Sequence, residues 1–158
     1  MTATRGNVLF TSTVPGTAWA TYAPTVTLGA GAGNVVPQYT VNQGRYTQFV
    51  KIVFATVTLT GDGGNEGAGT GILYIALPVT AGASVTSAMA GMAFGMAYNA
   101  MAPGFISSFT GGVMIAAGAT SFTITEGAPP PTNLATMTGA DQAPLTREIH
   151  AQFCYEVD

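Results

Sequence analysis

The sequence predicts an all-β domain, an antiparallel β-sandwich, and three observations carry that reading. The first is the stretch 44–60, where Ile52, Phe54, Thr56 and Thr58 alternate with Val53, Ala55, Val57 and Leu59. Strand side chains alternate with a period of two, so one face here is fully apolar and the other is half so. A run this rich in β-branched residues favours strand over helix and reads as a central strand. The second is the stretch 148–157, where Ile149, Ala151, Phe153, Tyr155 and Val157 alternate with Glu148, His150, Gln152, Cys154 and Glu156. One apolar and one polar face suit an antiparallel strand of a sandwich. The third is the chain between them, where short apolar runs are punctuated by Gly and Pro.

Composition sets the limits. The chain has 158 residues, enough for one domain with a core of its own. Charged residues make up 7%, against about 25% in an average soluble domain. A monomer of 16.0 kDa exposes roughly 7,400 Å², thinly covered by four basic and seven acidic residues. Hydrophobic residues reach an ordinary 47%, so the core is not what is lacking. The surface is left to small, hydroxylic and apolar side chains, and large apolar patches mark interfaces. A subunit of an assembly is expected.

A net charge of −3 argues against nucleic acid, which needs a basic footprint, and Arg5, Arg45, Lys51 and Arg147 are scattered. The single Cys154 cannot form an internal disulfide. Residues 1–7 lack the basic-then-apolar order of a signal peptide, so synthesis in the cytoplasm is expected. Residues 67–125 carry no charge, and 83–102 are rich in Ala and Met, with Gly91 and Gly95 at the spacing of packed membrane helices. Ser84, Thr86, Ser87 and Asn99 interrupt that window, Pro103 closes it, and flanking Lys or Arg is absent. No membrane span is expected.

In chain order, residues 1–18 read as an N-terminal arm and 19–158 as a single β-sandwich domain. The arm holds a strand candidate at 7–12 and a turn signal at Pro15–Gly16; it either reaches onto a neighbour or frays. Trp19, Tyr22 and Pro24 precede a strand at 25–28. Gly29, Gly31 and Gly33 superficially match a phosphate cradle, but neither a helix signal nor a P-loop Lys follows. The next strand is 35–42, and Gln43–Gly44 is expected to turn into the central stretch. Residues 61–71 form a Gly-rich acidic loop. Asp62, Asn65 and Glu66 offer oxygen donors there, yet their spacing departs from the calcium-loop pattern, so a solvated hairpin loop is expected.

Pro78 stops an apolar strand at 72–77. Residues 91–98 alternate small with large and read as a tightly packed strand, with one helical turn near 85–89 as the alternative. Strands at 105–109, 113–117 and 121–125 are separated by turns at Gly111–Gly112 and Gly118. Three prolines make 127–133 an extended loop.

Groups able to do chemistry are few. One His supports neither a histidine metal cage nor a Ser-His-Asp set. His150, flanked by Glu148 and Gln152, reads as a solvated or hydrogen-bonded surface residue, with a metal or pH switch at a symmetric contact as the sharper alternative. Asp62 and Glu66 sit on a loop unable to hold two carboxylates rigidly across a glycosidic bond. Asp141 reads as a turn residue. No enzyme and no cofactor are expected.

The order Trp19, Tyr22, Pro24, Thr25, then Gly44, Arg45, Tyr46, a β-branched strand, a Gly-rich loop and the run from Leu73 to Pro78 resembles a known group. Leu134 and the run 145–147 leading into Ile149, Ala151, Phe153 and Tyr155 extend the likeness over residues 19–158. The chain resembles the small, jelly-roll-like β-sandwich domains of tailed-bacteriophage virion proteins, found at fibre tips or on capsid surfaces. The resemblance implies a homotrimer. It departs from the fibre pattern in one respect: no shaft, coiled coil or repeat precedes Trp19.

Three functions follow as expectations. The first is a non-enzymatic structural subunit on the virion, a head decoration or cement protein in contact with itself and with major capsid or tail proteins. The second is a tail-fibre tip that recognises host surface glycan through Asp62, Asn65, Glu66 and Asn99. A small hydrolase ranks last. Phe49, Met92, Met96 and Tyr98 are the expected subunit contact. Phe54, Val57, Leu59, Ile75, Leu77, Phe153 and Tyr155 are the expected core.

Overall fold

The computed structural model describes residues 18–61, 67–84, 88–98, 105–126, 135–136 and 146–158; within these, 88–98, 105–109, 126, 135 and 146–147 are described by backbone alone. The described residues form ten strands and no helix. They are β1 Ala20–Tyr22, β2 Val26–Leu28, β3 Tyr39–Phe49, β4 Ile52–Gly61 and β5 Leu73–Ala76. β6 Ala88–Tyr98, β7 Phe105–Ile115, β8 Ser121–Glu126, β9 Ala135–Thr136 and β10 Thr146–Glu156 follow. The all-β antiparallel sandwich expected from the alternation is the observed fold.

The strands join in one antiparallel path, β1-β3-β4-β10-β6-β7-β8-β5-β2, with β9 beside β8. The path doubles over, so that β4 and β10 in one layer face β5, β7 and β8 in the other. Their inward side chains make a single core, from Val53, Val57, Leu59, Ile149 and Phe153 to Leu73, Ile75, Val113, Ile115, Phe122 and Ile124. Phe122 of β8 meets Phe153 of β10 with ring centroids 4.7 Å apart, fastening layer to layer.

Register follows from the two alternating stretches. Ile149 pairs with Leu59, Ala151 with Val57, Phe153 with Ala55 and Tyr155 with Val53, so the apolar faces of β4 and β10 coincide. A slip of one residue would turn Glu148 and His150 into the core, and burial forbids it.

Residues 77–84 clasp both layers. Leu77 and Ala81 donate backbone bonds to Thr120 and Ala119 beside β8, at 2.9 Å each. Gly82 donates to Glu156 of β10 at 2.9 Å. The path ends in β1 and β2, three residues each. Ala23, buried Pro24 and Thr25 join them, so the two ends of the described strand path are neighbours in sequence.

Four expectations are corrected. Phe54 lies outside the core, 46% exposed, because it shares parity with Ile52 and Thr56 rather than with Val57. Gln43–Gly44 does not turn: β3 runs straight through it, and the turn comes at Val50–Lys51, between the paired Phe49 and Ile52. The stretch 44–60 is therefore a hairpin, of which β4 is the interior strand. Gly44 sits mid-strand because the Tyr22 ring packs over it, where a Cβ would lie 2.1 Å from a ring carbon. Gly111–Gly112 likewise lies within β7, paired to Ala93 and Met92. Residues 35–38 precede β3 instead of opening a strand, contributing one bridge from Val35 to Ala68.

Other expectations for the described residues hold more closely. β6 covers the predicted 91–98, and Val57, Leu59, Ile75, Phe153 and Tyr155 are buried, with Leu77 packed at the core's margin.

Candidate functional site

Antiparallel pairing lays out the outer face of the first layer as a grid. Phe49 opposes Ile52, which opposes Glu156; Thr47 opposes Phe54, which opposes Cys154. Arg45 opposes Thr56, then Gln152; Gln43 opposes Thr58, then His150. The end of this grid near the β3–β4 turn is apolar and open: Phe49 is 53% exposed, Val50 76%, Ile52 37% and Phe54 46%.

Val50 adopts φ 54°, a left-handed conformation that a β-branched residue adopts only under strain. The Gln48 side-chain amide donates to the Val50 carbonyl at 2.9 Å, and Val157 N–H donates to the Lys51 carbonyl at 2.8 Å. Together they hold the strained turn in place.

Beside this end lies a group formed by Trp19, Tyr22, Arg45 and Tyr46. β1 pairs with β3 so that Ala20 opposes Tyr46, Thr21 opposes Arg45 and Tyr22 opposes Gly44. The Arg45 guanidinium lies 5.7 Å from the Trp19 ring centre, and Trp19 stays 45% exposed. On the inner side Tyr22 meets Tyr46 edge-on, 5.9 Å between centroids. Sequence spacing could not show that Trp19, Tyr22, Gly44, Arg45 and Tyr46 form one cluster.

Two tyrosines have opposite hydrogen-bond fortunes. Tyr155 donates its hydroxyl to the Val79 carbonyl at 2.7 Å and accepts from Val79 N–H at 3.3 Å. Burial pushes its phenol up to about 12, against the pull of the Val79 bond. The Tyr22 hydroxyl is buried and has no hydrogen-bond partner among the described residues. Burial, and then the Tyr155 phenol, raise its pKa as well.

The middle of the grid is polar. His150 Nδ1 lies 3.3 Å from Thr58 Oγ1, and Nε2 lies 3.8 Å from Glu148 Oε1. This is the hydrogen-bonded surface histidine expected from its neighbours. Among the described residues no group of three His, Cys, Asp or Glu is placed to hold a metal.

The second layer's outer face has a different character. A depression of about 320 Å³ lies over β5, β7 and β8, lined by Ile72, Tyr74, Met114, Ala119, Ser121 and Thr123 among others. These residues fall within the uncharged span 67–125.

The Gly29–Gly33 loop proves structural. Gly31 and Gly71 approach so closely that a Cβ on Gly31 would stand 2.3 Å from the Gly71 nitrogen. Asn34 binds between the two loops, donating to the Gly29 carbonyl at 2.7 Å and accepting from Gly71 N–H at 3.0 Å. The glycines serve loop-on-loop packing.

Of the residues expected at a subunit contact, Phe49 is exposed at the β3–β4 turn. Register sets Met92 opposite Gln152, Met96 opposite Glu148 and Tyr98 opposite Thr146. Phe49, through Ile52, is level with Glu156 at the other end of β10. Asp62, Asn65, Glu66 and Asn99, like residues 1–17 and the proline loop, lie outside the described residues. Among the described residues no helix is long and apolar enough to cross a membrane. Sequence reasoning missed the Val50 turn, which carries no Gly or Pro signal.

Comparison with known proteins finds no matching family model, curated protein or solved structure.

Proposed function

We propose that the chain is a non-enzymatic structural subunit of a tailed-bacteriophage particle, a head decoration or cement protein that assembles as a homotrimer. The observation that carries this reading is the uncharged outer face of the second layer, with its apolar depression between Ile72, Tyr74 and Met114. Covering such a face desolvates no charge and gains roughly 25 cal/mol per Å² of apolar area before association costs. The partners are further copies of the chain and neighbouring virion proteins. The sequence resemblance to phage virion sandwiches points the same way.

A second reading, host-glycan recognition at a tail-fibre tip, draws on Trp19, whose exposed ring beside Arg45 offers a stacking surface for a sugar.

Light scattering tests the assembly. The wild-type chain should run as a trimer at micromolar concentration, and Met114→Asp, which buries an unpaired charge in the contact, should release monomers. A soluble 16.0 kDa wild-type monomer overturns the trimer. Copy number in purified virions separates the two readings: parity with the major capsid protein supports decoration, and a handful of copies supports the fibre tip.

A further inference from the structure

The apolar end of the first layer's outer face calls for a cover, and its size indicates which kind. Trp19, Phe49 and Phe54, each about half exposed, leave roughly 100 Å² apiece, and with Val50 and Ile52 the patch reaches on the order of 400–500 Å². A stable contact between two copies takes about 800 Å² from each. The patch is therefore too small for a face-to-face dimer and suits one short strand.

The direction of the chain identifies the segment. β1 runs antiparallel to β3, and β3 ends at Phe49, so the chain entering β1 comes from the side of the β3–β4 turn. Immediately upstream are the turn signal Pro15–Gly16 and the apolar run Val8, Leu9 and Phe10. Phe10 lies nine positions before Trp19, a reach of about 30 Å when extended. Crossing from β1 past β3 and β4 to β10 takes about 14 Å, so the tether has length to spare for a reversal. A tether this short holds its segment at an effective concentration in the millimolar range, which favours the chain's own patch over a neighbour's.

We propose that residues 7–12 fold back after Pro15–Gly16 and cover the patch formed by Trp19, Phe49, Val50, Ile52 and Phe54 of the same chain. The inference does not depend on the virion reading and would stand if that reading failed.

Cys154 provides the test. It is the chain's single cysteine, it is exposed, and it lies directly opposite Phe54. In the full-length Phe10→Cys variant, mild oxidation should consume both thiols and give a product of single-chain mobility on a non-reducing denaturing gel. Val8→Cys serves in the same way should Phe10→Cys fail to fold. Free thiols after oxidation of a folded variant overturn the proposal. A disulfide-linked dimer also overturns it, by placing the segment on another copy. The single tryptophan gives an independent readout. In Phe10→Ser, acrylamide quenching of Trp19 should rise above wild type, and unchanged quenching counts against a covered patch.

Discussion

The two layers share one core and differ on the side turned away from it. In the first layer, Arg45, Glu148, His150 and Glu156 lie in β3 and β10, and Lys51 in the turn between β3 and β4. In the second layer, β2, β5 and β7 carry no charge, and β8 carries one, Glu126. Inward positions obey the same rule in both: Phe153 and Phe122 are both buried and touch each other. Packing dictates the inner faces of the two layers alike. It leaves the outer faces free, and there they diverge into a charged, partly apolar grid and a surface whose described side chains are uncharged. The difference teaches that the core tells little about what this chain does, and the outer faces tell more.

The largest effect should come from the shared core. Phe153→Ala and Phe122→Ala, one from each layer, should each cost about 3–5 kcal/mol in denaturant melts. Both variants should unfold in a single transition. Two transitions, or a loss below about 1 kcal/mol for either, would break the picture of one core with two dissimilar outsides.

Next comes the tie between layers. Tyr155→Phe removes the partner of both Val79 backbone groups and should cost about 1–2 kcal/mol. Its tyrosine also sets an alkaline limit. The folded phenol titrates near 12 and the unfolded one near 10, so the unfolded chain releases its proton first. The stability this group contributes is complete below pH 10 and lost as pH climbs to about 12. A pH series of melts should show the decline in wild type and a shallower one in Tyr155→Phe.

Smaller still is the turn. Val50→Gly relieves the left-handed strain, offset in part by the extra freedom of an unfolded glycine, for a net gain of about 0.5–1 kcal/mol. A loss of stability would mean that the Val50 side chain is held by contacts. The smallest shift belongs to Tyr22→Phe, which deletes a buried hydroxyl that has no hydrogen-bond partner among the described residues. It should be neutral or slightly stabilising, and a loss above about 1 kcal/mol would reveal a partner for that hydroxyl.

Much of the fold was legible because β4 and β10 alternate without interruption, and their alternation sets both the core faces and the register. The error over Phe54 came from grouping it with Val57 by hydrophobicity, when a step of three residues places them on opposite faces. Gly44 and Gly112 misled in another way. Glycine marks turns by its conformational freedom, but Gly44 is required here by the Tyr22 ring above it. The true turn, at Val50, goes against local preference and was invisible to it. The candidate site was half legible. The uncharged span 67–125 could be read directly, but its gathering over β5, β7 and β8 depends on pairings between distant segments that no local pattern encodes.

The placement of β10 has a consequence for how the chain is made. It is the last of the ten strands to be translated, yet it lies inside the sheet, paired to β4 on one side and β6 on the other. Thr58 and His150, neighbours across that ladder, are 92 residues apart in sequence. The β3–β4 hairpin and the β6-β7-β8 meander can form while synthesis continues, but one edge of β4 and one of β6 wait for a partner still in the ribosome. Folding of this kind is dominated by distant contacts and is slow, on the order of milliseconds to seconds. The nascent chain therefore carries two uncovered strand edges through most of its synthesis, and the insertion of β10 joins them in one late step.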